Sequence, residues 1–354
     1  MKTEHLLIMR FSALGDVAML VPVVHSLAAQ YPHLRVTVLS RAIARPLFEN
    51  LAPNVGFMDA DLTNEYKGVK GLNALYRRLK AKHFTGVADM HGVLRTHYLR
   101  FRFKADRFKV AVIDKHRAGK KRLSKRSEKQ LVQQPTSFQN YADVLARLGY
   151  PVKLDFVSLF PSTGGPLRQV KAEELREKKS FQKWIGMAPF AAHEGKVYPL
   201  SKMERVVELL SSAHPNARIL FFGAGAKEKE CFDTWCKRYP RCFNVSAVSG
   251  GLYDELIIMS HLDVMISMDS ANSHLASLVN IPVVSIWGAT HPYAGFMGWH
   301  QSESTAVQLN LPCRPCSVFG DKPCYRGDLA CLQGISPEMV FDKVETVINS
   351  PVKR

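Results

Sequence analysis

The sequence predicts an α/β protein made of two Rossmann-like domains that face each other across a cleft. Short apolar runs alternate with helical periodicity along both halves of the chain, a pattern typical of doubly wound parallel sheets. A stretch rich in Gly, Ser, Thr and Pro at residues 162–166 separates the halves and is typical of a linker. The length of 354 residues also exceeds what one ordinary hydrophobic core supports.

The first half, residues 1–165, is predicted to open with a buried strand and to continue in strand–helix alternation. Its predicted strands cover residues 6–9, 35–39 and 87–90. Its predicted helices cover residues 16–30, 42–51, 72–82 and 137–148. Pro22 should kink the first of these helices, because proline removes a helical hydrogen bond. Residues 115–135 are polar, basic and weakly patterned, and we expect a mobile loop there.

The alternation restarts in the second half, residues 166–335. Predicted strands cover residues 184–187, 217–222, 264–267 and 282–287. Predicted helices cover residues 201–213, 226–239, 252–261 and 270–278. The final segment, residues 336–354, contains one more predicted helix at 337–349.

The composition is that of an ordinary soluble globular protein, with 46% hydrophobic residues. No apolar run approaches the length of about 18 residues that a membrane-spanning helix needs. Glu4 comes early, and no small-residue cleavage site follows it, so we expect no signal peptide and a cytoplasmic protein.

The charge is strongly basic and unevenly distributed. The formal net charge is +17, and between Arg95 and Lys129 fourteen Lys or Arg residues stand against three acids, a local net charge of +11. Phe101, Phe103 and Phe108 interleave with these cations. Such a segment is typical of a surface for nucleic acid, an acidic membrane or a phosphorylated substrate, although a solvated basic loop is an equal alternative.

A first candidate site follows the first predicted strand. Gly15 permits a tight turn there, and Asp16 stands at the predicted helix start, where an acid is also a good N-cap. Local sequence alone favours the cap. However, a carboxylate after a parallel strand would point into the interdomain cleft and could accept a proton from a hydroxyl.

A second candidate is Lys196, in the loop after the first strand of the second half. A lysine at that end of a strand can reach a diphosphate and offset its charge, although a solvated surface lysine is the simpler interpretation. A third candidate is Gly223, in a Gly-x-Gly turn between a strand and a helix. The turn resembles half of a dinucleotide fingerprint, but Glu228 stands where the third glycine would be, so the match is weak.

The fourth candidate lies where an apolar strand runs into an acid, a small-residue turn and a histidine. Asp269 can orient the turn or bind a ligand, and Ser270 and Ala271 offer backbone N–H groups at a helix start, which is a ready site for an anion. His274 follows in the first helical turn, either as a ligand-binding residue or as a buried structural histidine. This stretch indicates a protein that binds a phosphorylated ligand.

Four of the seven cysteines lie close together near the end of the chain. They are Cys313, Cys316, Cys324 and Cys331. The Cys-x2-Cys start allows a structural zinc site, but the spacing of the second pair is wider than most zinc knuckles use. Free thiols or a disulfide are the alternatives, and in a cytoplasmic protein most thiols are reduced.

Several of these motifs occur together, and in the same order, in a known family. They are Ser12-x-x-Gly15-Asp16-Val17, Asp89-x-His91-Gly92-x-x-Arg95, Lys196-x-x-Pro199, Asp269-Ser270-x-x-x-His274 and Gly288-x-Thr290-x-Pro292. Each is short, but their order from about residue 8 to about residue 295 is specific. The chain resembles glycosyltransferase family 9, the heptosyltransferases of lipopolysaccharide core synthesis, which have the two-domain GT-B fold.

The resemblance implies an inverting, metal-independent transferase. Asp16 would be the catalytic base, and Lys196 would stabilise the departing diphosphate of a nucleotide-sugar donor, usually ADP-heptose. Donor-binding roles would also fall to Asp269, Ser270, Ala271, His274 and Gly223. The first domain would bind a phosphorylated lipid A core acceptor through Ser12, His91 and Arg95, and the last helix would cross back to it.

The same resemblance implies that no cofactor is needed and that the protein associates peripherally with the cytoplasmic face of the inner membrane. Three departures leave the donor sugar open. Ala271 replaces a common glycine, Tyr198 replaces a common tryptophan, and Ala191 and Ala192 replace hydroxyl residues.

Two other classes of function compete with this interpretation. A nucleic-acid-binding protein would use the basic segment at 95–129, and its binding would fall steeply with salt and be indifferent to Asp16. A nicotinamide-dependent oxidoreductase is disfavoured by the broken glycine pattern at Gly223.

Overall fold

The computed structural model describes residues 4–350 and divides them into two units. The first unit contains the described residues up to Lys115 together with Pro135–Val157, and the second contains His116–Gln134 together with the residues from Ser158 onward. The expected border at 165/166 therefore lies at 157/158, and the basic stretch His116–Gln134 belongs to the second unit.

A five-stranded parallel sheet organises the first unit. Its strands are β1 (His5–Met9), β2 (Arg35–Ser40), β3 (Val55–Asp59), β4 (Gly86–Asp89) and β5 (Lys109–Val112), in the order β3-β2-β1-β4-β5. The register runs from His5↔Arg35 to Met9↔Leu39 between the first two strands. β1 is buried along its whole length because helices cover both faces of a central parallel strand, which explains its continuous apolar sequence.

Four helices precede the basic stretch. They are α1 (Leu14–Ala18), α2 (Val21–Gln30), α3 (Gly68–Lys80) and α4 (Leu94–Ala105), and residues Ala42–Leu47 form a 3-10 helix. The single helix predicted at 16–30 is divided, and Pro22 lies in the first turn of α2 instead of kinking it, where its missing N–H costs nothing. Sequence analysis missed β3, α4 and β5.

The basic stretch is more ordered than a mobile loop. It contains α5 (Arg117–Leu123), in which Lys120 and Leu123 are buried, and the Lys120 Nζ lies 4.1 Å from the centre of the Phe296 ring. The chain then returns to the first unit for α6 (Ser137–Leu148), whose bounds agree with the prediction. Thr136 and Gln139 form a capping box at its start, and Gly149 ends it in a left-handed conformation.

The second unit is built on a six-stranded parallel sheet. Its strands are β6 (Trp184–Ala188), β7 (Arg218–Phe221), β8 (Cys242–Asn244), β9 (Val264–Met268), β10 (Val283–Ile286) and β11 (Ala306–Val307), in the order β11-β10-β9-β6-β7-β8. Its helices are α7 (Leu200–Ala213), α8 (Ala226–Arg238), α9 (Val245–Val248), α10 (Leu252–Met259), α11 (Ala271–Leu278), α12 (Ala330–Gln333) and α13 (Pro337–Asn349). The four predicted strands are present, and β8 and β11 were missed.

The expectation that the last helix crosses to the first domain is wrong for α13. This helix buries Val340, Val344 and Ile348 in the core of the second unit, beside α7 and β9–β11. The His214 Nε2 lies 2.5 Å from the Glu345 Oε1, which ties α13 to the end of α7. An amphipathic helix settles where its apolar stripe is covered, and here the second sheet covers it.

No helix within residues 4–350 is long and apolar enough to span a membrane.

Candidate functional site

A charged cluster lies at the carboxyl edge of the first sheet. Arg10 leaves β1, and its Nη2 lies 2.7 Å from the Asp16 Oδ2 while its Nη1 donates to the Met90 carbonyl at 2.5 Å. The backbone N–H of Ala13 donates to the same Oδ2 at 3.2 Å. The turn after β1 therefore holds the Asp16 carboxylate from two sides.

Tyr141 supports this cluster from α6. Its hydroxyl donates to the Asp16 carbonyl at 3.1 Å, and the Arg10 guanidinium lies 5.6 Å from the centre of its ring. Burial raises the pKa of Tyr141, so the phenol stays protonated. Burial alone would lower the pKa of Arg10, but the ion pair with the Asp16 carboxylate opposes this, and the net shift in the pKa of Arg10 is upward. The side chain of Asp16 remains 32% exposed, whereas that of Arg10 is 7% exposed.

The turn after β4 brings His91, a predicted acceptor residue, to this edge, where it meets Ser12 of the turn after β1. Asp89 is fully buried and accepts the backbone N–H groups of His91 and Gly92, each at 2.9 Å. Gly92 has a φ of +57°, which an L side chain rarely adopts. The His91 Nε2 lies 3.4 Å from the Ser12 Oγ, so two residues far apart in sequence meet here.

His91 is neutral at physiological pH. Burial, together with the nearby cations Arg10 and Lys115, lowers the pKa of His91 to about 4. A neutral imidazole can accept as well as donate a hydrogen bond, which suits contact with sugar hydroxyls. Arg95, the third predicted acceptor residue, is exposed in the first turn of α4.

A second charged cluster lies at the carboxyl edge of the other sheet. Lys196 ends a 3-10 turn after β6, and its Nζ lies 2.9 Å from the Asp269 Oδ2 and donates to the Asp269 carbonyl at 3.1 Å. Asp269 directly follows β9, and its Oδ2 also accepts the Thr290 hydroxyl at 2.9 Å. Here the acid is 4% exposed and the lysine 16% exposed.

The predicted helix start follows Asp269 directly. Ser270 is the N-cap of α11 in an extended conformation, and Ala271 is its first residue. The Ser270 Oγ lies 3.2 Å from the Ser267 Oγ, and the Ser273 hydroxyl donates to the Ser270 carbonyl at 2.7 Å. First-turn amides have no acceptor within a helix, which makes this end attractive to an anion. His274 is buried in the same turn.

Gly223 lies in the turn after β7, the strand beside β6, at the same edge of the sheet. The neighbouring Ala224 N–H donates to the Glu228 Oε2 at 2.8 Å. A Cβ at Gly223 would lie 2.1 Å from that same oxygen. An acid of the protein thus occupies the turn where a dinucleotide phosphate would lie, in keeping with the weak fingerprint.

Sequence reasoning missed two residues that support this second cluster. Gly320 has a φ of +76°, and a Cβ there would lie 2.6 Å from the Cγ of Lys196, so only glycine lets the backbone pack on the lysine stem. Arg314 is buried and donates to the carbonyls of Gly288 at 2.6 Å and Thr290 at 2.9 Å. Gly320 lies 124 positions from Lys196, and Arg314 lies 24 positions from Thr290, so no local pattern indicates either residue.

Two other sequence interpretations change. Tyr198, where the family often has tryptophan, is a buried core residue whose hydroxyl donates to the Ile335 carbonyl at 3.0 Å. Of the three interleaved phenylalanines only Phe101 is exposed, because Phe103 is buried and its ring lies 5.1 Å from that of Phe108.

The four late cysteines show no preformed metal site in the described residues. All four are free thiols, and within residues 4–350 no three His, Cys, Asp or Glu side chains are arranged to hold a metal ion.

These features define the class of protein. Two Rossmann-like units, each with a charged cluster at the carboxyl edge of its sheet, are the parts of a GT-B glycosyltransferase. The sequence model of glycosyltransferase family 9 (heptosyltransferase) matches residues 72–323. The chain therefore belongs to glycosyltransferase family 9.

Curated relatives agree with this assignment. Lipooligosaccharide heptosyltransferase 2 of Campylobacter jejuni is 25% identical over 47% of this chain and 52% of its own length. The lipopolysaccharide core heptosyltransferase OpsX of Haemophilus influenzae is 24% identical over 82% of this chain and 80% of its own. The chain thus spans about half the length of the first relative and most of the second.

Solved structures show the same fold along the chain. A glycosyl transferase family 9 protein from Veillonella parvula has a TM-score of 0.71 and 17% identity and covers 99% of both chains. The E. coli heptosyltransferase WaaC, solved with ADP, has a TM-score of 0.67 and 15% identity and covers 97% of this chain and 99% of its own. The predicted fold class is confirmed.

Proposed function

We propose that this protein transfers a heptose, or a similar sugar, from a nucleotide diphosphate donor to a lipopolysaccharide core acceptor. The observation that carries the proposal is the family match over residues 72–323, together with the Asp16 and Lys196 clusters that the chemistry requires. The donor that we favour is ADP-heptose, because WaaC was solved with ADP and the curated relatives are heptosyltransferases.

In the proposed reaction, Asp16 is the catalytic base. Its carboxylate takes the proton of an acceptor hydroxyl as that oxygen attacks the anomeric carbon of the donor sugar. The bond between the anomeric carbon and the phosphate oxygen breaks, and its electron pair leaves with the nucleoside diphosphate. A single displacement of this kind inverts the configuration at the anomeric carbon. The exposure of Asp16 supports the role, because a base has to be reached by its substrate.

The second cluster stabilises the leaving group. Lys196 supplies positive charge, and the first-turn amides at Ser270 and Ala271 supply donors for phosphate oxygens. Asp269 and His274 shape the same pocket. This arrangement provides what a divalent ion provides in other transferases, so we propose that transfer needs no metal and proceeds unchanged in EDTA.

The acceptor is bound by the first unit. Ser12 and His91 offer polar atoms beside Asp16, and the exposed Arg95 offers charge to a phosphorylated core sugar. Since lipid A is anchored in a bilayer, we propose that the protein works at the cytoplasmic face of the inner membrane, as a peripheral protein.

The test is calorimetric titration of the purified protein with ADP, UDP, GDP and ADP-heptose in EDTA. Selective binding of ADP and ADP-heptose supports the proposal. A preference for UDP or GDP replaces the donor and keeps the chemistry. Binding to none of them, with salt-sensitive binding to an oligonucleotide, would overturn the proposal in favour of a nucleic-acid-binding protein.

A further inference from the structure

α4 has a distinctive outward face. Its inner side buries Thr96, Leu99 and Phe103 against the first sheet, as the helix of a Rossmann-like unit should. Its outer side exposes two large apolar side chains, Leu94 at 85% and Phe101 at 66%. These residues are seven positions apart and therefore lie on one face of the helix, about 10 Å apart along its axis.

The neighbouring helix extends this face. Arg102 of α4 donates to the Asn73 side chain and lies 4.5 Å over the Tyr76 ring, which joins α4 to α3. Val69, in the first turn of α3, is 63% exposed. Both helices connect parallel strands, so both begin at the carboxyl edge of the sheet, where Asp16 and His91 lie.

The charge of the two helices is of one sign. Together α3 and α4 contain eight Lys or Arg residues and no Asp or Glu. Lys70, Arg95 and Lys104 are exposed among them. Asp106, just after α4, is paired with Lys80 and with the Tyr76 hydroxyl, so its charge is largely compensated. Apolar side chains set in a cationic helix face match the interface of an anionic bilayer.

We propose that the outward face of α3 and α4, defined by Val69, Lys70, Leu94, Phe101 and Lys104, docks the protein on an anionic lipid bilayer. Leu94 and Phe101 enter the boundary between headgroups and acyl chains, while the cations pair with lipid phosphates. The choice of a bilayer as the partner rests on the proposed function in one respect: a membrane-anchored acceptor would be presented at this edge of the sheet. A nucleic acid would pair with the cations but would leave the apolar side chain of Leu94 exposed to water.

The first test is sedimentation with vesicles of phosphatidylcholine mixed with phosphatidylglycerol, compared with phosphatidylcholine alone. We expect Leu94→Ala/Phe101→Ala to weaken partitioning into the anionic vesicles by roughly 10-fold or more, because both apolar anchors are lost. Phe181→Ala, which truncates an exposed phenylalanine of the second unit, is the matched control and should partition as the wild type does. Equal partitioning of the double variant and the wild type would overturn the proposal.

The charges are tested separately. Lys70→Gln/Lys104→Gln should weaken partitioning by roughly 10-fold at low salt, and the difference should shrink as salt is raised. Binding to an oligonucleotide that exceeds binding to anionic vesicles and is unaffected by Leu94→Ala/Phe101→Ala would overturn the proposal and assign the face to nucleic acid.

A second readout does not depend on truncating any side chain. All four native tryptophans are buried in the second unit, so Phe101→Trp adds the single exposed reporter among the described residues. Its emission should shift to shorter wavelength when anionic vesicles are added, and an unshifted spectrum would overturn the proposal. ADP titration of the same samples tests the transferase function independently, so retained ADP binding without vesicle binding removes only the docking proposal.

Discussion

The ion pairs at the two sheet edges differ in which partner is buried. In the first unit the cation is the buried partner, with Arg10 at 7% exposure and Asp16 at 32%. In the second unit the acid is the buried partner, with Asp269 at 4% and Lys196 at 16%. In each pair the buried residue fixes the geometry, and in the proposed function the more exposed residue is the one that meets the substrate. This difference in burial agrees with the proposed roles, proton transfer at the first edge and charge stabilisation at the second.

The largest effect is expected at the exposed acid. Asp16→Asn keeps the shape of the side chain but cannot take a proton, so kcat should fall about 10²–10⁴-fold in an assay of sugar transfer. Donor affinity measured by calorimetry should be unchanged, because the donor residues are proposed in the second unit. Asp143→Asn, an exposed acid on α6, is the control. Turnover near the wild-type value would remove the base assignment.

Lys196, the more exposed partner of the second pair, should show a smaller and different loss. Lys196→Met keeps the length of the stem and removes the charge, so the rate should fall about 10²–10³-fold and donor binding should weaken as well. Calorimetry with ADP and the transfer assay measure the two effects. Lys227→Met on α8 is the matched surface control. If ADP affinity were the same in Lys196→Met and in the wild type, the diphosphate would have to be bound elsewhere.

Acid should weaken both units through one histidine in each, buried His91 in the first and half-buried His291 in the second. Burial, aided by neighbouring cations, lowers the pKa of His91 and that of His291 to about 4. When folding lowers the pKa of a histidine, its contribution to the stability of the folded state is fully present at pH values above its ordinary pKa near 6.5. That contribution is lost as the pH falls toward 4. Between pH 7 and pH 4.5 each should cost about 2 kcal/mol of unfolding free energy.

Urea unfolding at the two pH values measures this loss. In His91→Gln and in His291→Gln the loss should be smaller by that amount, and in the double variant smaller by about twice as much. An equal acid loss in the wild type and in all three variants would show that other groups govern the acid response of both edges.

The smallest effect is expected at the hydroxyl that supports the buried acid. Thr290→Val removes the hydrogen bond to the Asp269 Oδ2 and keeps the volume, which should cost about 1 kcal/mol of unfolding free energy. Thr346→Val is the control for losing a hydroxyl, because the Thr346 hydroxyl donates to the Asp342 carbonyl on the exposed side of α13. A loss no larger than that of the control would mean that Lys196 alone holds Asp269.

The sequence was most informative where local chemistry decides the structure. α6 and α13 have the predicted bounds because a capping box begins the first, Ser336 and Pro337 begin the second, and no tertiary contact is needed to recognise either signal. The apolar strands that precede Asp269 and Lys196 were predicted for a similar reason, since only a buried parallel strand has such a continuous apolar run.

The predictions failed where a residue takes its role from a distant partner. The stretch 115–135 was expected to be a loop because it is polar, basic and weakly patterned, yet α5 forms within the second unit and Lys120 packs over Phe296. Tyr141 supports Asp16 across 125 positions, and no pattern near either residue indicates the pair. Asp16, Asp269 and Lys196 could be recognised by residue type, but the role of Arg10 and the identity of the buried partner in each pair required the fold.

Because of where the tryptophans lie, tryptophan fluorescence reports on the second unit alone. Trp184, Trp235, Trp287 and Trp299 all emit from the second unit, whereas helices of both units contribute to circular dichroism. A denaturant titration followed by both signals is therefore a built-in comparison of the two halves. Coincident transitions would mean that the halves melt as one cooperative block, and separated ones would give each half its own stability.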